Sequence, residues 1–255
     1  MALFLFVVLH WYISLFFQSV FHHRYAAHGI FSMSKIWERI FFIGSYIAHG
    51  SSYISPHTYG LMHRLHHEHT DTPEDPHSPS NSTNVLAMLV QTRNNYYDIY
   101  SGSVVPEKKY FKNLPCWESM DRLAHNWISR IIWILIYALI YYTLAPSWWF
   151  FILLPVTCAL SSVQGAIVNW WAHRLGYTNF AVSNTSVNIM RFDIFFMGEA
   201  YHNNHHKNPS YANNAHQKSE WDMGYQCMKI MDKMGIIQLK TRSKRRQDDH
   251  PKINQ

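Results

Sequence analysis

The sequence predicts an all-α integral membrane protein with about three transmembrane helices. Three observations carry this reading. Residues 1–21 and 131–168 contain no charged side chain. All 22 Lys and Arg lie outside residues 1–23 and 131–168. Aromatic residues make up 16% of the chain and charged residues only 15%, against about 25% charged in an ordinary soluble domain.

The same composition excludes a disordered chain, which needs high charge and few aromatics. Cys116, Cys158 and Cys227 are odd in number and form no CxxC pair, which excludes a disulfide scaffold. The 18 histidines outnumber the 16 acidic residues, and histidine that abundant beside so little charge points to metal. The mean hydropathy of −0.20 averages apolar spans with polar stretches.

Each element has its own justification. Residues 1–21, MALFLFVVLHWYISLFFQSVF, are long enough to cross a hydrocarbon core of about 30 Å. They have neither the basic start nor the small-residue cleavage site of a signal peptide. Residues 37–54 are apolar in part but carry Glu38, Arg39, Gly44, His49 and Gly50, and read as an interfacial helix. Residues 128–144 and 147–168, separated by Ala145-Pro146, read as a transmembrane hairpin with Trp and Tyr at its ends.

Three crossings place residues 24–130 and 169–255 on one side, which the positive-inside rule makes cytoplasmic, with the N-terminus opposite. Residues 1–239 form a single membrane-embedded domain, and 240–255 a basic polar tail. The net charge of +6 is thus a matter of topology. No aromatic-interleaved basic repeat points to nucleic acid.

The polar stretches hold four clusters: His23 and His28 in HRYAAH, His63, His66 and His67 in HRLHH, Asn169 and His173 in NWWAH, and His202, His205 and His206 in HNNHH. Residues at i, i+3 and i+4 share a helix face. HxxHH therefore presents three imidazoles from one turn, twice over. Asn169 and His173 also share a face. His23 and His28, five apart, diverge on an ideal α-helix and converge only if the helix end frays or bends. Nine imidazoles exceed one metal ion and suit two, taking four or five nitrogens each. Imidazole alone does not choose among Fe, Zn, Cu and Ni.

Three crossings put all four clusters on one side. A full crossing at 37–54 would split the first from the second and forbid a single centre. Other metal motifs fail: there is no HExxH, Cys116 has no partner at deaminase spacing, and the ExxH at Glu199–His202 overlaps the last histidine cluster, where a di-iron bundle needs that motif twice plus two further glutamates. No GxGxxG or P-loop predicts a nucleotide cofactor.

In this order and spacing the clusters resemble the histidine boxes of the membrane fatty acyl desaturases, most closely the stearoyl-CoA (Δ9) group. Asp75-Pro76-His77 after the second box and Gly198-Glu199 before the last are similar too. The resemblance covers about residues 10–210 and implies a membrane stem with a cytosolic helical cap holding two iron ions. It implies ligation by His23, His28, His63, His66, His67, His173, His202, His205 and His206, with Asn169 contacting one iron through water. It further implies an O2-dependent enzyme that puts a cis double bond, at Δ9, into a saturated acyl chain carried by CoA, a carrier protein or a lipid. Zinc would be an expression substitute for iron. This chain departs from the family in having one span before the first box instead of two. It lacks the HPGG motif of a fused cytochrome b5 domain, so the electron donor, cytochrome b5 or ferredoxin, is expected to be external.

Cleaving an unactivated C–H bond needs a metal and O2, with the protein supplying binding and orientation. The acyl chain is expected in an apolar tunnel among the spans. Glu68, Asp71, Asp75 and Glu199 are candidates to accept the ligands' other N–H, and Arg64 and Lys207 to meet a substrate headgroup. His49, His57, His69, His77 and His125 are read as non-ligands. His10, inside the first span, is read as a neutral histidine bonded to a neighbouring helix. Two alternatives are a histidine-box hydroxylase of alkyl or lipid substrates and a non-catalytic metal carrier. A carrier would place its histidines within the spans.

Overall fold

The computed structural model describes residues 1–240. The expected basic tail, Lys240 apart, lies outside the described residues.

The architecture is helical: α1 (Ala2–Phe16), α2 (Lys35–His49), α3 (Pro56–His69), α4 (Val85–Ser101), α5 (Glu118–His125), α6 (Trp127–Leu144), α7 (Leu154–Cys158), α8 (Leu160–Trp171), α9 (His202–Lys207) and α10 (Met223–Lys233). The strands β1 (Phe31–Ser32) and β2 (Gln238–Leu239) form one short antiparallel pair.

Two helices are long and apolar enough to cross a membrane, Ala2–Ala27 and Trp127–Leu144. The first is longer than the expected 1–21, because α1 runs without a break into a π-helix, Phe17–Ala27. The outer faces of both helices stay apolar and uncovered, with Phe4, Leu5, Leu9 and Ile13 on α1 and Ile128, Ile132, Leu135 and Leu139 on α6. Such surface is stable only against lipid.

The expected third span is not straight. Trp148–Cys158 and Leu160–Trp171 meet at a bend of 68°. Pro155 sits in the first turn of α7. The backbone freed at the break is bonded by the turn after α2: Ser51 Oγ donates to the Cys158 carbonyl (2.7 Å), and Ser161 N donates to Ser52 Oγ (3.2 Å). A broken helix is tolerated at membrane depth when protein satisfies it in this way.

α2 starts at Ser34, whose side chain accepts from Trp37 N. It shows an exposed stripe of Ile36, Ile40, Ile43 and Ile47 and buries Phe41, Phe42, Ser45 and Ala48. That is the amphipathic pattern of a helix lying along a boundary, not of a span. Gly50 ends it at φ +51°, where a Cβ would stand 2.1 Å from the Tyr137 hydroxyl of α6. His10 joins three helices: its Nε2 lies 2.9 Å from the Ala48 carbonyl on α2 and 3.3 Å from the Tyr137 hydroxyl.

The main core packs the π-helix and α2 against α10 and the strand pair, through Val20, Phe21, Phe31, Phe42, Met228 and Leu239. A second anchor is polar. Tyr53 and Ser55 donate to the Asp121 carboxylate, both at 2.7 Å. His125 Nδ1 bonds the Asp121 carbonyl and its Nε2 bonds the Tyr96 hydroxyl.

Burial holds the His125 imidazole down at about 4, against about 6.5 in an unfolded chain. The unfolded state therefore binds the proton first. Stability contributed by His125 is whole above pH 6.5 and falls by up to about 1.4 kcal/mol per pH unit down to about 4. His125→Gln keeps a polar partner without that titration. Its loss of stability between pH 7.5 and 5.0, read by thermal unfolding, should be smaller than that of the wild type; equal losses would refute the assignment.

Candidate metal centre and cavity

The π-helix resolves the divergence of the first cluster. In a π-helix the hydrogen bond runs from residue i+5 to residue i, so residues five apart stand on one face. His28 N bonds His23 O at 3.1 Å, and the two rings meet at 4.8 Å. The helix neither frays nor bends; it widens. Its end is held by Arg64 of α3, whose guanidinium donates to the carbonyls of Ala26, Ala27, Tyr110 and Lys112. Arg64 is thus engaged by backbone carbonyls, while Lys207, the other headgroup candidate, is exposed at the end of α9.

α3 presents His63, His66 and His67. Asn169 stands in the last turn of α8, with His173 just beyond it. α9 presents His202, His205 and His206. α9 has only six residues, too few to persist alone. The asparagines inside its box hold it: Asn203 accepts from Asn179 N and Phe180 N, and Asn204 donates to the Asn214 carbonyl and to Glu220.

The structure sorts the nine histidines into two groups. His23, His28, His63, His67 and His205 form one; His66, His173, His202 and His206 form the other. Within each group one nitrogen per ring lies within 4.8 Å of the others. In the first group Nε2 atoms are 2.8 Å apart for His67–His205, 2.9 Å for His28–His63 and 3.0 Å for His23–His205. In the second they are 3.0 Å apart for His202–His206 and 3.1 Å for His173–His202.

Carboxylates sit behind the rings. His66 Nδ1 bonds Asp75 at 2.9 Å, and His23 Nδ1 lies 2.7 Å from Glu199. His173 Nδ1 bonds Thr185 Oγ1 at 3.2 Å, whose hydroxyl and backbone N–H both donate to Asp71; Asp71 itself lies 3.6 Å from His173 Nδ1. A ring that gives its Nδ1 proton to a carboxylate turns a bare lone pair inward from Nε2. Several such lone pairs within about 3 Å repel unless a cation lies among them, so the donor set fits metal ions. Burial, and then the neighbouring rings, push His28, His63, His67, His202, His205 and His206 well below their usual range. Neutral imidazole is the ligating form.

Burial alone would raise the Glu199 carboxyl; His23 and Arg24 outweigh it and hold it below its ordinary value. Burial raises Asp75. Asp71 is opposed by burial too, but its bonds from His173 and Thr185 hold it far below. Glu68, the fourth candidate, faces outward and pairs with Lys109 at 2.7 Å; it touches no ring of either group. Asp75→Asn should weaken metal retention against a chelator, and activity with it, by about 10–100-fold, whereas Glu68→Gln should leave both unchanged. Equal retention in the two variants would refute the distinction.

Two features carried no expectation from the sequence, and a third, His77, was expected only as a non-ligand. Arg24, inside the first box, is 1% exposed and pairs with Glu199 at 3.0 Å and Asp222 at 2.9 Å. Asp193 accepts from the backbone N–H of Phe195, Phe196, Gly198 and Ala200. That loop sets Glu199 and the start of α9. His77 is buried against His66. An arginine lying between the histidines of the first box was the one signal available for Arg24, and Asp193 carries no local pattern.

A cavity of about 260 Å³ opens beside both groups. Leu15, Met62, Met88, Leu89 and Val168 give it apolar wall. Gln18, Thr92, Gln164 and Arg130 line it too, within a mostly apolar surface. Asn169, His23, His63 and His202 stand where it meets the histidines.

A family model described as fatty acid desaturase matches residues 1–227. The chain is 24% identical over 243 residues to "Delta-9 acyl-lipid desaturase 2" of Arabidopsis thaliana, covering 89% of this chain and 72% of the relative. It is 27% identical to "sn-2 palmitoyl-lipid 9-desaturase" of a Nostoc species, covering 92% and 80%. It is 25% identical to "Hex-5-enoyl-[acyl-carrier protein] acetylenase" of Moorena producens, covering 89% and 73%.

Proposed function

This chain belongs to the fatty acid desaturase family, and from that membership we propose that it introduces a cis double bond, at Δ9, into a saturated lipid-linked acyl chain, using two iron ions, O2 and an external electron donor such as cytochrome b5 or ferredoxin. It is an integral membrane oxidoreductase. The observation that carries the finer reading is the division of nine imidazoles into groups of five and four beside one cavity.

The residues fit the proposed ions. His23, His28, His63, His67 and His205 would hold one, and His66, His173, His202 and His206 the other, with Asn169 contacting one of them through water. Bound there, iron with O2 supplies the oxidising power that no side chain has. The protein's own part is positional. Asp75, Glu199 and Asp71 fix ring orientation from behind. The apolar wall aligns methylenes of the acyl chain beside the histidines, and enclosure keeps water from competing. The lipid-linked form is supported by the names of two relatives; the acyl-carrier-protein name of the third makes the carrier an experimental arm. The distribution of Lys and Arg supports a cytoplasmic centre with the N-terminus opposite.

The test is a fatty-acid profile with double-bond localisation, from cells lacking their own desaturase, supplied with each electron donor in turn. New monoenes in the lipid fraction, absent with His205→Ala, are expected. Hydroxylated chains would move the assignment to a hydroxylase. Fewer than one metal ion per histidine group in purified protein would overturn the centre itself.

A further inference from the structure

His77 is an imidazole the centre does not use. It is 3% exposed, and neither of its ring nitrogens has a hydrogen-bond partner. It lines the cavity, together with Asn169, His63 and His202. An imidazole carries at least one N–H in every protonation state, so a buried ring with no partner at either nitrogen leaves a donor unsatisfied. Natural proteins keep such a group where something outside the chain completes it.

Its placement is built. The His77 backbone N–H donates to Asp75 Oδ1 at 3.0 Å, the same carboxylate that bonds His66 Nδ1. The preceding Pro76 carbonyl accepts from Asn95 Nδ2 of α4 at 2.7 Å. The ring stacks on His66 with centroids 4.2 Å apart and planes 29° from parallel. Its nitrogens group with His66 and Asp75, not with the four nitrogens of His66, His173, His202 and His206. It therefore stands beside that group without belonging to it.

We propose that His77 is a positioning residue of the reaction cavity, hydrogen-bonding a water or small oxygen- or nitrogen-bearing ligand held beside the four-histidine group, and is not a metal ligand. This rests on the reading that the two histidine groups hold metal. The stacked ring fixes the hydrogen bond relative to His66, and Asn169 lines the same cavity. A bound small ligand is thereby directed by side chains that do not leave with it.

Azide is the probe, titrated into the oxidised, metal-loaded protein and followed by its charge-transfer absorption, with metal counted on the same samples. His77→Phe keeps a flat ring on His66 and removes both nitrogens; His77→Leu repeats the removal with a smaller group. Both should keep the wild-type metal content and bind azide about tenfold more weakly, the loss of one hydrogen bond to a charged ligand. His77→Gln, which restores a donor, should return affinity to near wild type. Loss of one ion per chain in His77→Phe and His77→Leu would make His77 a ligand and overturn the proposal. Unchanged azide affinity in both would make it a packing residue and overturn it equally. Metal-loaded wild type that forms no double bond would sink the proposed reaction alone; wild type that binds no metal would sink both.

Discussion

His205→Ala is expected to abolish double-bond formation, lowering it by well over about 100-fold, the upper range for residues that only support a ligand. It should also empty the five-histidine group. His205 Nε2 lies 3.0 Å from His23 Nε2 and 2.8 Å from His67 Nε2, so its removal takes the one member that the last box contributes to this group. Metal content, counted on purified protein, should fall by one ion per chain. The four-histidine group should keep its own, because α9 stays anchored through Asn203 and Asn204. Helix content should be unchanged by circular dichroism. Wild-type metal content in this variant would show that the five nitrogens do not hold an ion.

Arg24→Met is expected to be the most destabilising single change outside the ligands. The guanidinium is almost wholly buried, and it faces Glu199 and Asp222 while donating to the Met197 carbonyl. Gly198 and Gly224 are shaped to it: a Cβ at either would stand 2.7 Å from an Arg24 nitrogen. Removing one partner of a buried ion pair leaves an uncompensated charge and costs roughly 3–5 kcal/mol. For a chain of this size that lowers the melting temperature by roughly 10 °C. Arg24→Lys should recover little, since one ammonium cannot span two carboxylates as the guanidinium fork does. Metal retention should fall as well, because Glu199 also stands behind His23. A loss under about 1 kcal/mol, measured by unfolding in detergent, would show that the pair of carboxylates does not need Arg24.

Much of the site was legible because its signals are local. HxxHH needs only the α-helical repeat to bring three rings to one face, and α3 and α9 supply it. Carboxylates near the boxes in sequence come to lie behind a ring where the chain turns back at once, as at Asp75. Proximity failed at Glu68, one residue past His67, because the next position on a helix points about 100° away; it meets Lys109 at the surface instead. Arg64 takes a partner that sequence proximity does not reveal. It lies next to His63, yet the end of the π-helix leaves carbonyls that a guanidinium satisfies.

The sequence by itself determined which segments are apolar, where the charges are excluded, and which residue types can bind metal, since these depend on composition and short-range periodicity. Only the tertiary structure decided how nine rings divide into five and four. It also decided that the first box is read from a π-helix, that the last apolar stretch bends by 68°, and that His77 stands bare in the cavity. Each of these depends on contacts between residues far apart in the chain: Arg64 on the π-helix, the Ser51–Ser52 turn on the break at Cys158, and Asn95 on the loop before His77. Short-range patterns set what a segment is able to do; its long-range partners select which of those conformations it keeps.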